Sequence, residues 1–192
     1  MKIFLSTIAL SLTFLSSIQG ETHPAPQPSA QQQTQPQAKP DQKIDVQFSF
    51  EPDGRHWNLG DETKNDQMSL QRYVLDGETV ELWTELFTVH KYYGIKGDVS
   101  QFFDHFLSAL QGMVPKDTKI EHKVISQDKN NLLGEWWIPT GLTAQHEWIR
   151  VITEGDNVIV LRYTTRKLKS VDDVRPTWEG ILKNAKVVKK DK

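Results

Sequence analysis

Between residues 44 and 186 apolar side chains recur at spacings of two and of 3.6 residues, and the changes of spacing mark the elements. Ile44, Val46, Phe48 and Phe50 alternate with polar residues over 44–50, which predicts a half-buried strand. Glu51-Pro52-Asp53-Gly54 is the turn that ends it. Residues 57–69 are polar and irregular and predict a loop. Two strand-like segments follow at 70–75 and 79–90, with the hairpin dipeptide Asp76-Gly77 between them. In the second, Val80, Leu82 and Leu86 share one face, and Glu81, Trp83, Glu85 and Phe87 share the other.

Over 98–114 the spacing changes to that of a helix. Val99, Phe102, Phe103, Phe106, Leu107, Leu110, Met113 and Val114 form one wide apolar face, Asp98 or Ser100 caps the start, and Pro115 ends it. Such a face must pack on a sheet. Strands are predicted at about 119–127, 131–138, 144–154 and 157–165, joined by short polar turns, which implies an antiparallel meander. The last two carry apolar side chains on both faces and so require cover on both sides. A second helix is predicted over about 171–186, with Val174, Trp178, Ile181, Leu182 and Ala185 on one side and Pro176 in its first turn. The fold class expected is α+β: an antiparallel sheet of about six strands with two principal helices packed on it.

The first 43 residues follow a different pattern. Residues 1–20 combine Lys2, an apolar stretch from Ile3 to Leu15 diluted by Ser and Thr, and then small residues up to Gly20. This order predicts a cleavable secretory signal, cut near Gly20. Residues 21–43 are dominated by Pro and Gln, with no aliphatic residue larger than Ala. Such a segment buries too little surface to offset its ordering entropy and reads as a disordered, extended tether. The expected organisation is a signal peptide (1–20), a tether (21–43) and one domain (44–189). The protein is then secreted or periplasmic, with no membrane span after cleavage.

Composition narrows the chemistry. The 192 residues contain no cysteine, which removes disulfides, thiolate metal sites, a cysteine nucleophile and lipid attachment at cysteine. The net charge of −2 comes without a basic stripe, so nucleic acid is not an expected partner. The lysines at 186, 189, 190 and 192 read as a solvated, frayed end. The six histidines are scattered and lack helical ligand spacing; His146-Glu147 has Arg150 where a zinc-protease string needs its second histidine. No Gly-x-Ser-x-Gly elbow and no phosphate loop is present. No cofactor, no metal and no catalytic residue is therefore expected.

Two sets of residues remain as candidates. Glu81, Glu85, Glu135 and Glu147 can pair across a groove for acid–base chemistry, or pair with Arg150 and Arg162 as a structural charge network. Trp136 and Trp137 must point to opposite faces of their strand. With Trp83, His146, Glu147, Trp148 and Arg150, they are the candidate binding residues, because tryptophans near open loops build partner sites. The loops 138–142 and 52–68 are the expected rim.

Glu81-Leu82-Trp83-Thr84-Glu85, Glu135-Trp136, His146-Glu147-Trp148-Ile149-Arg150, Tyr163 and Trp178, in this element order, resemble small exported bacterial proteins of unknown function. More distantly, they are similar to the PsbP/Mog1-like α/β/α sandwich. The resemblance implies a non-catalytic, partner-binding domain and carries over no functional residue. The leading functional expectation is an exported interaction or accessory module that binds a protein or envelope component. The alternatives are a small-molecule or lipid-binding domain with a pocket between the Phe-rich helix and the sheet, and an envelope hydrolase using paired glutamates.

Overall fold

A computed structural model describes residues 44–189. The expected signal peptide and tether lie outside these residues.

The chain is α+β. Seven strands form one antiparallel sheet in the order β2-β3-β4-β8-β7-β6-β5. They are β2 (Trp57–Lys64), β3 (Met68–Leu75), β4 (Glu85–Tyr93), β5 (Glu121–Gln127), β6 (Asn131–Ile138), β7 (Gln145–Glu154) and β8 (Asn157–Thr165). Helix α1 (Val99–Met113) follows β4, and helix α2 (Val171–Asn184) follows β8. The chain termini of the domain, β1 (Ile44–Gln47) and β9 (Lys186–Lys189), pair with each other as a separate two-stranded ribbon.

The alternation along β4, β6, β7 and β8 sorts side chains onto two faces, both covered, as two-sided apolar strands require. One face carries Phe87, Val89, Leu133, Trp148, Ile159, Leu161 and Tyr163, and packs with α2 and with Ile44 and Val46 of β1. Its centre is aromatic: Tyr163 stacks on Trp178 of α2 at 3.7 Å and 6°, and Trp57, Phe50 and Phe87 surround the pair. The opposite face meets α1, whose Phe103, Phe106 and Leu110 are buried. Gly134 permits that approach, because a Cβ there would lie 3.0 Å from the Phe103 ring and 3.2 Å from the Lys123 carbonyl. Asp98 caps α1 by accepting from the Ser100 and Gln101 amides, as its sequence position predicts.

Four elements differ from the sequence expectation. Residues 57–64 form an edge strand rather than a loop: only Trp57 is buried, so the strand exists through its ladder with β3 and not through an apolar pattern. The hairpin between β2 and β3 is turned at Asn65, whose side chain accepts from the Gln67 and Met68 amides. Asp76-Gly77 does turn, but residues 78–84 do not continue as strand. Glu78 accepts from the Thr84 amide and hydroxyl, and Thr79 accepts from the Glu81 and Leu82 amides, so local side-chain bonds outcompete a ladder. Glu81 therefore does not share a strand with Glu85. Pro176 falls in the second turn of α2, not the first, on an exposed position where the carbonyl it leaves without a donor can be hydrated. The helix ends at Asn184, and Lys186 and Lys189, read as part of a frayed end, belong to β9.

Candidate functional site

The candidate residues separate onto the two faces. Glu135 and His146 lie on the α2 face, on β6 and β7. His146 Nε2 donates to Glu135 Oε2 at 2.9 Å, Arg175 of α2 donates to the same oxygen at 2.5 Å, and the half-buried Trp137 ring stacks on His146 at 5.4 Å. Burial opposes charge on Glu135, yet the hydrogen bonds from Arg175 and His146 hold its carboxyl below the usual range. Burial also lowers His146, against the pull of Glu135. Trp148 is fully buried beside them, with the Arg175 guanidinium 5.3 Å from its ring centre.

Glu85, at the start of β4 on the same face, is the most heavily bonded acid. Arg55 reaches it in a fork at 2.8 and 2.7 Å, Lys167 donates at 2.7 Å, and the Tyr163 hydroxyl donates to Oε2. Burial would raise its pKa; these donors together outweigh burial and hold it at about 2. Arg55 is itself fixed by Asp53, which also accepts from the Trp57 indole at 2.7 Å.

Trp136 and Glu147 lie on the α1 face. The fully buried Glu147 accepts from the Trp136 indole at 2.9 Å and from the Thr164 hydroxyl at 2.6 Å. Arg162 Nε lies 2.9 Å from Glu147 Oε1 but makes no aligned hydrogen bond. Trp136 and Trp137 thus do point to opposite faces. Trp83 is buried in the 78–84 segment under the guanidinium of Arg166, 4.0 Å from its ring centre.

Arg150 pairs with none of the four glutamates. It donates to the carbonyls of Leu182, Lys183 and Ala185 at 2.5, 3.0 and 2.8 Å and to the Asn131 side chain at 2.9 Å, so it closes the C-terminus of α2, where a cation is favoured. Arg150→Ala is expected to cost about 1.5–3 kcal/mol, the range for hydrogen bonds to a charged group. Amide exchange in the last turn of α2 should quicken more than exchange elsewhere. A uniform change, or none, would show that Arg150 does not hold the helix end.

The four glutamates therefore form no common groove. Glu81 is exposed on the 78–84 segment, Glu85 and Glu135 share one face of the sheet, Glu147 faces the other way, and each of the last three has a cation beside it. Among the described residues no group of three His, Cys, Asp or Glu side chains is placed to hold a metal ion. The partners that the sequence did not mark as candidate site residues are Asp53, Arg55, Tyr163, Lys167 and Arg175. They come from loops, a strand and α2, and no local spacing links them to the acids they meet.

One end of the sheet carries the two most exposed large apolar residues among those described. Glu85 and His146 both lie opposite Thr165, and Ile138 lies opposite Gln145, so the 78–84 segment and the 139–144 turn emerge at the same end. Leu82 is 79% exposed and Leu142 96% exposed. The segment carrying Leu82 is well tied: beyond the Glu78 and Thr79 bonds, the Arg166 amide donates to the Thr84 carbonyl at 2.9 Å. A side chain at Gly60 would collide with Val80, 2.8 Å from an ideal Cβ, so glycine there lets this segment lie against β2.

Among the described residues no helix is long and apolar enough to cross a membrane. No protein-family model matches the chain, and no curated protein matches it. Among solved structures the chain is similar to the solution structure of cyanobacterial PsbP (CyanoP) from Synechocystis sp. PCC 6803, with a TM-score of 0.46 and 10% identity, over 76% of this chain and 93% of that one.

Proposed function

We propose that the protein is an exported, non-catalytic interaction module that meets a protein or envelope partner through the end of the sheet carrying Leu82 and Leu142. The observation that supports this reading most directly is the exposure of Leu82 on a segment that its own hydrogen bonds hold in place. A leucine pointing into water gains nothing from folding. Presented on a preordered backbone, it loses little entropy when a partner covers it. Strands β4 and β6 are separated by three ladder spacings, about 14 Å, so one partner spans both loops. The non-catalytic part of the reading rests on the acids. Glu85 and Glu135 are held ionised by basic partners, which leaves neither of them a proton donor at neutral pH.

The test is site-specific photocrosslinking in cells that export the protein. A photoreactive residue at 142 should capture one specific partner, and Leu82→Asp should abolish the adduct without changing the melting temperature. The same probe at Val124, exposed on the edge strand β5, should capture nothing comparable. Equal capture at positions 124 and 142, or an adduct indifferent to Leu82→Asp, would remove this surface from consideration.

A further inference from the structure

The aromatic residues of the α2 face form one continuous row from the surface to the centre of the core. The row starts at Trp137, whose half-buried ring lies parallel to His146 at 5.4 Å and 5°. His146 meets the fully buried Trp148 at 4.3 Å, and Trp148 meets Tyr163 at 5.8 Å and 24°. Tyr163 stacks on Trp178 at 3.7 Å, and Trp178 meets Trp57 at 5.3 Å. The sheet ladder fixes this order. Trp137 lies opposite His146, Trp148 follows two positions along β7, and Tyr163 lies opposite Trp148.

The row matters because of what this sequence lacks. With no cysteine, there is no thiol to take up an oxidising equivalent. Indole and phenol are then the side chains that give up one electron most readily.

Tyr163 differs from the indoles of the row in having a proton acceptor. Its hydroxyl donates to Glu85 Oε2, and both groups are buried. Burial, and then the bond to the Glu85 carboxylate, raise the phenol above its ordinary value, so it stays protonated at neutral pH. Glu85, held at about 2, is ionised there and able to accept. A phenol that has lost an electron is a far stronger acid than any carboxylic acid. Its proton therefore passes to Glu85 even with Arg55 and Lys167 bonded to that carboxylate. The buried indoles have no such exit: the Nε1 atoms of Trp148 and Trp178 lack any hydrogen-bond partner. An electron vacancy on either ring leaves a bare positive charge in a dry site, which is costly. The vacancy moves on to Tyr163, where the charge leaves with the proton.

We propose that the row conducts an oxidising equivalent from Trp137 to Tyr163, and that Tyr163 is where the radical comes to rest. A one-electron oxidant in solution takes an electron from Trp137. Trp148 refills Trp137 across the His146 ring, and Tyr163 refills Trp148. In sum, the oxidant gains one electron, Tyr163 loses one electron and its O–H proton, and Glu85 gains that proton. The products are a neutral phenoxyl radical and a neutral carboxylic acid that donates a hydrogen bond back to the phenoxyl oxygen. This activity is separate from partner binding and does not depend on it. It moves damage from an indole that solvent reaches to a ring closed to solvent.

The experiment uses the purified protein and tris(bipyridine)ruthenium(III), generated by a light flash with a cobalt(III) ammine as the electron sink. Rapid freezing and electron paramagnetic resonance then identify the radical. The wild type should give a tyrosyl signal that is lost in Tyr163→Phe and kept in Tyr73→Phe. Tyr73 is the half-buried tyrosine, the other three being buried, so direct attack from solution would give the reverse. Trp137→Phe keeps a ring over His146 that this oxidant cannot oxidise, and should lower the yield several-fold. Tyr163→Phe retains the ring stack, and near-ultraviolet circular dichroism checks its fold. Heavy water should slow radical formation in the wild type, because the proton moves with the electron; that measurement needs no variant. A signal that survives Tyr163→Phe, or one lost in Tyr73→Phe, overturns the relay. So does an unchanged yield in Trp137→Phe, or a radical that stays on tryptophan. Equal rates in ordinary and heavy water overturn the proton transfer to Glu85.

Discussion

Trp178→Ala is expected to lower the stability of the domain by about 3–5 kcal/mol, the range for removing a large aromatic from a packed core. Trp178 is fully buried on α2 and stacks on Tyr163 at 3.7 Å. It also meets Phe87 at 5.7 Å and Trp57 at 5.3 Å. Its ring is the contact through which α2 holds the sheet, the β1 end and the 50–57 segment together. Deleting it leaves a cavity that rigid neighbours on three sides cannot collapse into. Domains of this size are stable by about 5–15 kcal/mol, so a third or more of the margin disappears. Chemical denaturation followed by circular dichroism measures the loss. Trp178→Phe should retain more than half of it, because it keeps the ring stack and removes an indole N–H that has no partner. A cost below about 1 kcal/mol for Trp178→Ala would mean that the aromatic cluster is not what anchors α2.

Acid is expected to destabilise the domain in two overlapping windows. The first belongs to His90. Burial, then the positive charges of Arg162 and Arg72, hold it at about 3 against an ordinary value of 6.5. Below pH 6.5 the unfolded chain binds a proton at this residue that the folded chain refuses. The stability present above pH 6.5 is therefore lost progressively as pH falls toward 3, by an amount on the order of 4 kcal/mol at full extent. The second window belongs to Glu85, held at about 2 against 4.5. Its contribution is complete above pH 4.5 and disappears as pH falls through 2. With Arg55 and Lys167 both partly exposed, this amounts to on the order of 2 kcal/mol. Over pH 7, 6 and 5 the contribution of Glu85 stays nearly constant, so the change in denaturation midpoint reports the buried histidines: His90 and, with a smaller shift, His146, which burial also lowers. His90→Gln should reduce the slope over that range, leaving the part that His146 contributes. If the wild type and His90→Gln lose stability in parallel, the histidine is not buried neutral and this account of the acid response is wrong.

The architecture was readable where local pattern and burial agree. The period of 3.6 over Val99–Val114 placed α1 to within a residue, because its amphipathic face is the one the sheet buries. The meander over β5–β8 followed from polar turns and two-sided apolar strands. β2 was not readable, since an exposed edge strand needs no apolar alternation; its backbone partners alone define it. The 78–84 segment misled for the opposite reason. Its alternating pattern suits a strand, but Glu78 and Thr79 spend the backbone donors locally.

The candidate site was legible only in part. Trp83, Trp136, Trp137, His146, Glu147, Trp148 and Arg150 stand out in the sequence, yet nothing local shows whether such a residue is core or surface. Arg150 illustrates the limit: its four hydrogen bonds reach 19 to 35 residues along the chain. The Glu85 cluster spans positions 53 to 167, and its members meet only because β4 and β8 are neighbours with the 51–55 turn folded over their ends.

What the sequence determined by itself is the α+β class, the positions of both helices and the meander of strands, because these depend on periodicities of a few residues. What only the tertiary structure decided is the pairing of every buried charge, the exposure of Leu82 and Leu142 at one end of the sheet, and the row of ring contacts from Trp137 to Tyr163 across three strands. Those outcomes depend on which segments become neighbours. Contact between distant segments is set by the packing of whole faces, and no window along the chain records it.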